Sequence, residues 1–264
     1  MKKLLLIITF LILIYNCSFS QSYEKEANKL KNYAFFNEKS YINCGGGHWS
    51  KKCKIRNGLV YQEENYLEEK LMSIHEKIYD DYGNMIFEIS TYNINTGKKI
   101  DTLFKYKYKY DELKRVIEKE YSFGMVEKFS KFDKNSKPKL IERFEKSGET
   151  LYFWPITEIR DFDENGNLVK EIKTEIAYPD SKSDTIKRLK VETNIYKYDK
   201  FGYVIEIKRN NNPEESFPII IGGGLSLYET ENFEYKYDKT GLWEKKYRII
   251  EGKKRMLYKR NFKK

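Results

Sequence analysis

The chain is poor in several residue types that would otherwise define its class. Of its 264 residues only 15 are glycine and 5 proline, too few for a collagen or a flexible linker. Histidine occurs twice, at His48 and His75, and alanine only at positions 27, 34 and 177. No Gly-x-Ser-x-Gly nucleophile motif is present, no cofactor-binding motif stands out, and the acids mostly fall at turn positions or alternate with lysine. These gaps argue against an enzyme and against a bound cofactor. Past residue 20 no apolar run approaches the roughly 20 residues that a bilayer-spanning helix needs.

Aromatic residues are what the chain has in quantity. It carries 23 Tyr and 16 Phe, far more buriable surface than a disordered chain has. Lys+Arg outnumber Asp+Glu by 50 to 40, but the signs alternate, as in Lys77, Asp80, Asp81, Glu88 and Lys98. That pattern suits a solvated face and gives no block of positive charge for a nucleic acid.

Residues 1–20 have the form of an export signal. Lys2 and Lys3 precede an apolar run from Leu4 to Tyr15, and Ser18-Phe19-Ser20 places small residues where a signal peptidase reads. Cleavage there would leave residues 21–264, with 48 basic and 40 acidic side chains and a net charge of +8. Soluble export, periplasmic or extracellular, is the expectation. Lipidation at Cys17 is the alternative, although Tyr15 and Asn16 stand where a lipobox has small residues.

Two cysteines follow the signal, Cys44 and Cys53, separated by eight residues that include Gly45-Gly46-Gly47. In an oxidising compartment a disulfide is expected, stabilising the fold by about 2 to 3 kcal/mol in the chain-entropy picture. A metal site from Cys44, His48 and Cys53 lacks a fourth ligand nearby, so no metal is expected.

From about residue 60 an aromatic followed by Asp recurs six times, at Tyr79-Asp80, Tyr110-Asp111, Phe132-Asp133, Phe162-Asp163, Tyr198-Asp199 and Tyr237-Asp238. Three copies extend to Tyr-Lys-Tyr-Asp, ending at Asp111, Asp199 and Asp238. Three residues after the Asp stands Gly83, Gly166, Gly202 or Gly241, replaced in the other two copies by Lys114 and Ser136. This spacing describes a hairpin: Asp accepts from backbone N–H groups two or three residues on, and Gly takes the left-handed conformation that restores the antiparallel register. The Asp-to-Asp spacings of 31, 22, 30, 36 and 39 make a unit of about two strands with loops of varying length. Turn chemistry accounts for these acids better than calcium ligation does.

The motif Tyr-x-Tyr-Asp-x-x-Gly followed by an apolar position resembles the YD repeats of the Rhs group, best at Tyr196 to Ile207 and Tyr235 to Tyr247, with coverage of residues 76–264. Long arrays in that family coil into a shell around a toxin or serve as adhesion and carbohydrate-binding modules. The resemblance implies a small secreted YD-repeat protein here, since six copies look too few to close a shell and the chain ends a few residues past the last repeat strand.

The expected fold is therefore mainly β: a twisted antiparallel meander of hairpins, with a short helix over Tyr23 to Phe36. The expected organisation is a signal over 1–20, a cap segment over 21–60 and a repeat domain over 61–264. Residues 58–78 are ambiguous: Glu63 to Lys70 has helical composition, yet a strand leading into Tyr79-Asp80 serves the repeat better. Residues 210–228 form the longest insertion, with an apolar stretch at Phe217 to Gly224. The expected role is a non-catalytic binding or structural module of the envelope, with Tyr196, Tyr198, Tyr235 and Tyr237 offering rings to an anionic glycan. The alternative is an inhibitor or immunity-like partner of another exported protein, using residues 217–225. An outer-membrane barrel is not expected, because the strands alternate aromatics with Lys and Glu.

Overall fold

The computed structural model describes residues 26–42, 47–92, 100–177, 188–222 and 225–264. The export signal, Cys17 and Cys44 lie outside the described residues. A single helical turn over 26–30 is followed by strands throughout. They are β1 (Phe35–Ser40), β2 (Trp49–Arg56), β3 (Leu59–Leu67), β4 (Lys70–Tyr79), β5 (Met85–Tyr92) and β6 (Ile100–Tyr110). Next come β7 (Val116–Tyr121), β8 (Met125–Phe132), β9 (Pro138–Ser147), β10 (Thr150–Phe162), β11 (Leu168–Ala177) and β12 (Arg188–Tyr198). The last six are β13 (Val204–Asn212), β14 (Ile219–Gly222), β15 (Leu225–Leu227), β16 (Thr230–Tyr237), β17 (Trp243–Ile250) and β18 (Lys253–Lys263).

Sixteen of these strands form one closed antiparallel barrel, and β14 and β15 pair apart from it. The mainly-β expectation holds, but the meander sheet is closed into a barrel. The six motif hairpins supply twelve strands, and β1, β2, β3 and β18 supply the remaining four. The seam is the pairing of β1 with β18, where Phe36 faces Phe262 and Glu38 faces Arg260. On its other side β1 pairs with β2, so strands from the segment read as a cap belong to the wall.

The helix is shorter than expected because alternation takes over at Phe35. Phe36 enters a buried cluster with Leu30, Cys53, Ile55, Val60 and Leu242, which Tyr33 and Phe262 flank. Two residues of helical composition, Glu63 and Glu64, lie on β3: cross-strand partners decide the conformation there, since Glu63 reaches Lys77 and Glu64 reaches Lys54.

Because successive wall strands alternate in direction, every second connection lies at the same end. The six motif turns therefore share one rim with the β2–β3 turn, the chain's N-terminal turn of helix and the seam's open end. The helical turn packs onto this rim: Lys29 Nζ donates to the Gly241 carbonyl at 3.1 Å, and Tyr33 donates to Asp238 at 3.1 Å. The C-terminal ends of β1, β5, β11 and β13, after which the longest stretches of chain between wall strands follow, lie at the opposite rim.

Candidate functional site

At the regular rim the six turns repeat one hydrogen-bond pattern. Each Asp Oδ1 accepts from the backbone N–H two and four residues on, as in Asp199 from Phe201 at 2.9 Å and Tyr203 at 3.0 Å. The same pair of bonds occurs at Asp80, Asp111, Asp133, Asp163 and Asp238. Each Asp carbonyl also accepts from the residue three on: Gly83, Lys114, Ser136, Gly166, Gly202 or Gly241. All six of those residues have positive φ, including Lys114 and Ser136 at 61°. The second bond reaches four residues on, one beyond the expected span, because the turn continues into a bulge such as that between Lys197 and Tyr198.

The other carboxylate oxygen, Oδ2, is where the copies differ. It accepts from Tyr110 at Asp80, from Tyr237 at Asp199 and from Tyr33 at Asp238. At Asp111 it takes Arg115, and at Asp163 it takes Asn167. Asp133, in the most divergent copy, makes its two turn bonds and no tyrosine bond among the described residues.

The four tyrosines singled out from the sequence are half-buried, and their hydroxyls are engaged within the wall. Tyr198 donates to the Leu168 carbonyl at 2.7 Å, Tyr235 to the Val204 carbonyl at 2.9 Å, and Tyr196 to Glu171 at 3.3 Å. Tyr237 donates to Asp199. Each phenol thus ties one hairpin to the preceding one. Burial, with the neighbouring carboxylates, raises their ionisation well above the ordinary tyrosine value, so all four remain donors.

These rings share a face with a buried ionic lining. Register places Tyr196 beside Ile207, and Ile207 faces Glu231; Tyr235 faces Lys246. The lining includes Glu38, Glu127, Glu158, Glu171, Glu231, Arg248 and Arg260, all buried. Arg260 bonds both oxygens of Glu26 at 3.0 Å and Glu38 at 2.7 Å, clamping the helical turn to the seam. Arg143 bridges Glu127 at 2.9 Å and Glu158 at 3.0 Å. Arg209 and Arg248 share Glu231, and they also donate to the Tyr228 and Ser226 carbonyls, which anchors the β14–β15 hairpin to the wall. Burial pushes the Lys246 ammonium down to about 8; Glu38 pulls it back up and Arg260 pushes it further down. This face is turned inward, since closure crowds the concave side, while Ile78, Leu103, Ile159 and Ile195 stand exposed on the other. Exposed lysines 105, 107 and 109 share that outer face on β6. No helix among the described residues is long and apolar enough to cross a membrane.

Near the irregular rim the lining holds a polar cluster that sequence motifs did not reveal. Ser73 Oγ lies 3.0 Å from His75 Nε2, and His75 Nδ1 lies 3.2 Å from Glu88 Oε1 and 2.7 Å from Ser90 Oγ. Asn65 Nδ2 donates to Ser73 Oγ at 3.1 Å. Beside it Lys77 bonds Glu63, whose carboxyl burial would raise but which the Lys77 and Lys51 charges hold at about 2. The only signal in the sequence was Ser73-x-His75, two residues apart and hence on one face of a strand.

Cys53 is a fully buried thiol in the cluster with Leu30 and Phe36. Burial raises its ionisation, with Glu63 adding to the effect. Its expected partner, Cys44, lies outside the described residues, and so do the glycines between Cys44 and Gly47.

No family model matches the chain, and no curated protein matches it. Among solved structures, the Tc holotoxin pore of Photorhabdus luminescens is similar over 80% of this chain and 12% of its own, at 12% identity and a TM-score of 0.32. A porin-like protein from Bacteroides uniformis ATCC 8492 is similar over 88% of this chain and 97% of its own, at 10% identity and a TM-score of 0.32. A complex of TcdB2, TccC3 and Cdc42 is similar over 81% of this chain and 14% of its own, at 11% identity and a TM-score of 0.28. The chain thus spans about an eighth of the Tc toxin chain it matches.

Proposed function

We propose that this chain is a small exported YD-repeat-type protein that serves as a binding module of the cell envelope, meeting another exported protein at its insertion-bearing rim. The observation that carries this reading is the division of labour between the rims. At the regular rim the Asp carboxylates are taken up by their own turns, and the tyrosine hydroxyls are taken up by the wall. These groups act as the scaffold. At the opposite rim the β14–β15 hairpin is held in place by Arg209 and Arg248, with Ile220 at 79% exposure. A fixed hairpin with an exposed apolar side chain suits docking better than a loop folded onto its own sheet would.

Pull-down from envelope extract with the exported chain, analysing bound protein and bound carbohydrate, tests this. One stoichiometric protein, lost with Ile220→Asp, is the expected result. Glycan recovered alone would favour the anionic-glycan reading, which the net charge of +8 supports, and would refute docking at the rim. Nothing bound at low salt would leave a structural role.

A further inference from the structure

The cluster around His75 holds the parts of a nucleophilic relay in the required order. Ser73 and His75 alternate onto one face of β4, and β5 brings Glu88 and Ser90 alongside through the pairings of Lys77 with Glu88 and His75 with Ser90. Ser73 lies three residues from the start of β4, about 10 Å below the irregular rim at 3.3 Å per residue. The cluster therefore lies closer to the irregular rim than to the regular one, with Ser73 and Ser90 buried.

His75 Nδ1 faces two groups, Ser90 Oγ at 2.7 Å and Glu88 Oε1 at 3.2 Å, and the Ser90 hydroxyl donates in turn to Glu88 Oε1 at 3.4 Å. With the imidazole proton on Nδ1, donated to these two acceptors, the Nε2 lone pair faces Ser73, and this is the tautomer the relay uses. Burial raises the Glu88 carboxyl, but the His75 hydrogen bond and the Lys77 charge outweigh it and keep the group below its ordinary value. Asn65 Nδ2 donates to Ser73 Oγ at 3.1 Å, so the hydroxyl hydrogen of Ser73 remains to point at Nε2, 3.0 Å away. Nucleophile, base and orienting carboxylate are each within the reach that such chemistry requires.

We propose that Ser73, His75 and Glu88 form an acyl-transfer site for small carboxylic esters that reach it from the irregular rim. Ser73 Oγ attacks the ester carbonyl carbon as His75 Nε2 takes the hydroxyl proton. The carbon–oxygen bond to the alcohol breaks, and the alcohol leaves with that proton. Water then attacks the acyl-serine, passes a proton to Nε2, and the acid leaves as Ser73 Oγ regains the proton. Asn65 Nδ2 is the side-chain donor near enough to meet the oxyanion. Ser73 and His75 are the catalytic residues, and Glu88 is a positioning residue. This activity goes beyond binding, departs from the expectation of a non-catalytic chain, and is independent of Ile220.

The test is covalent labelling of the whole purified chain with a fluorophosphonate, the adduct located by peptide mass mapping, alongside hydrolysis of p-nitrophenyl acetate. An adduct on Ser73 is expected, absent from Ser73→Ala and retained in Ser130→Ala, whose side chain lies on the outer face. His75→Ala should slow labelling by about a hundredfold or more. Glu88→Gln should slow it by at least about tenfold, with part of the rate recovered in Glu88→Asp, a recovery that mere wall packing would not produce. The wild-type adduct is read first, so the outcome does not hang on whether a variant folds. No adduct on the native chain, where a serine hydrolase control labels fully, would overturn the proposal, as would an adduct at another residue.

Discussion

Removing the Asp199 side chain is the sharpest test of how the repeats are joined. Its Oδ1 accepts two backbone N–H groups of its own turn, and its Oδ2 accepts the Tyr237 hydroxyl from the next repeat. Asp133 makes the same two turn bonds at 2.9 and 2.7 Å and receives no tyrosine among the described residues. The two positions therefore differ by one charge-assisted bond between hairpins. At the exposed rim water can replace part of each turn bond, so Asp133→Ala should cost about 1 to 2 kcal/mol. Asp199→Ala adds the loss of the tyrosine bond, worth about 1.5 kcal/mol or more, and leaves a half-buried phenol unpaired, for a total of about 3 kcal/mol. In a chain of this size that corresponds to a fall in Tm of about 6 to 12 °C. Urea unfolding at unchanged m-value measures the difference, and a cycle of Asp199→Asn with Tyr237→Phe should return a coupling of about 1 kcal/mol. Equal losses at Asp133 and Asp199, with no coupling in the cycle, would refute the interlock.

Two further outcomes follow from the wall and its turns. Lys114 and Ser136 hold φ near 61° without being glycine, so Lys114→Gly and Ser136→Gly should each stabilise by about 0.5 to 1 kcal/mol in the same urea assay; a loss at both would contradict the strain argument. Lys77 and Lys51 outweigh burial to hold Glu63 at about 2, below the 4.5 of the free side chain. A depressed carboxylate stabilises fully above its unfolded value, so this contribution, on the order of 3 kcal/mol, should disappear as pH falls from 4.5 through about 2. Glu63→Gln should flatten that part of the stability–pH curve, and a curve unchanged by the substitution would rule the pair out as its source.

The hairpin unit and its six turns are legible in the order of residues, because those are local. An Asp side chain reaches N–H groups only two and four residues away, and the positive-φ residue follows three later, so the whole device fits in five residues of chain. Closure of the barrel is legible only in three dimensions. It depends on β1 meeting β18, on Arg260 reaching Glu26 and Glu38 across more than 200 residues, and on registers that no motif encodes. The tyrosines show both levels at once: alternation places Tyr235 and Tyr237 on one face, yet whether that face meets a ligand or the preceding hairpin depends on which strand lies beside it. In this fold the hydroxyls meet Val204 and Asp199. The same holds for Ser73, His75 and Glu88. Their spacing along the chain is ordinary, and only the pairing of β4 with β5, and the concave side to which both turn that face, bring a hydroxyl, an imidazole and a carboxylate within hydrogen-bonding distance. Local hydrogen bonds are short-range and survive in any context, whereas contacts across strands exist only once closure has chosen which strands are neighbours.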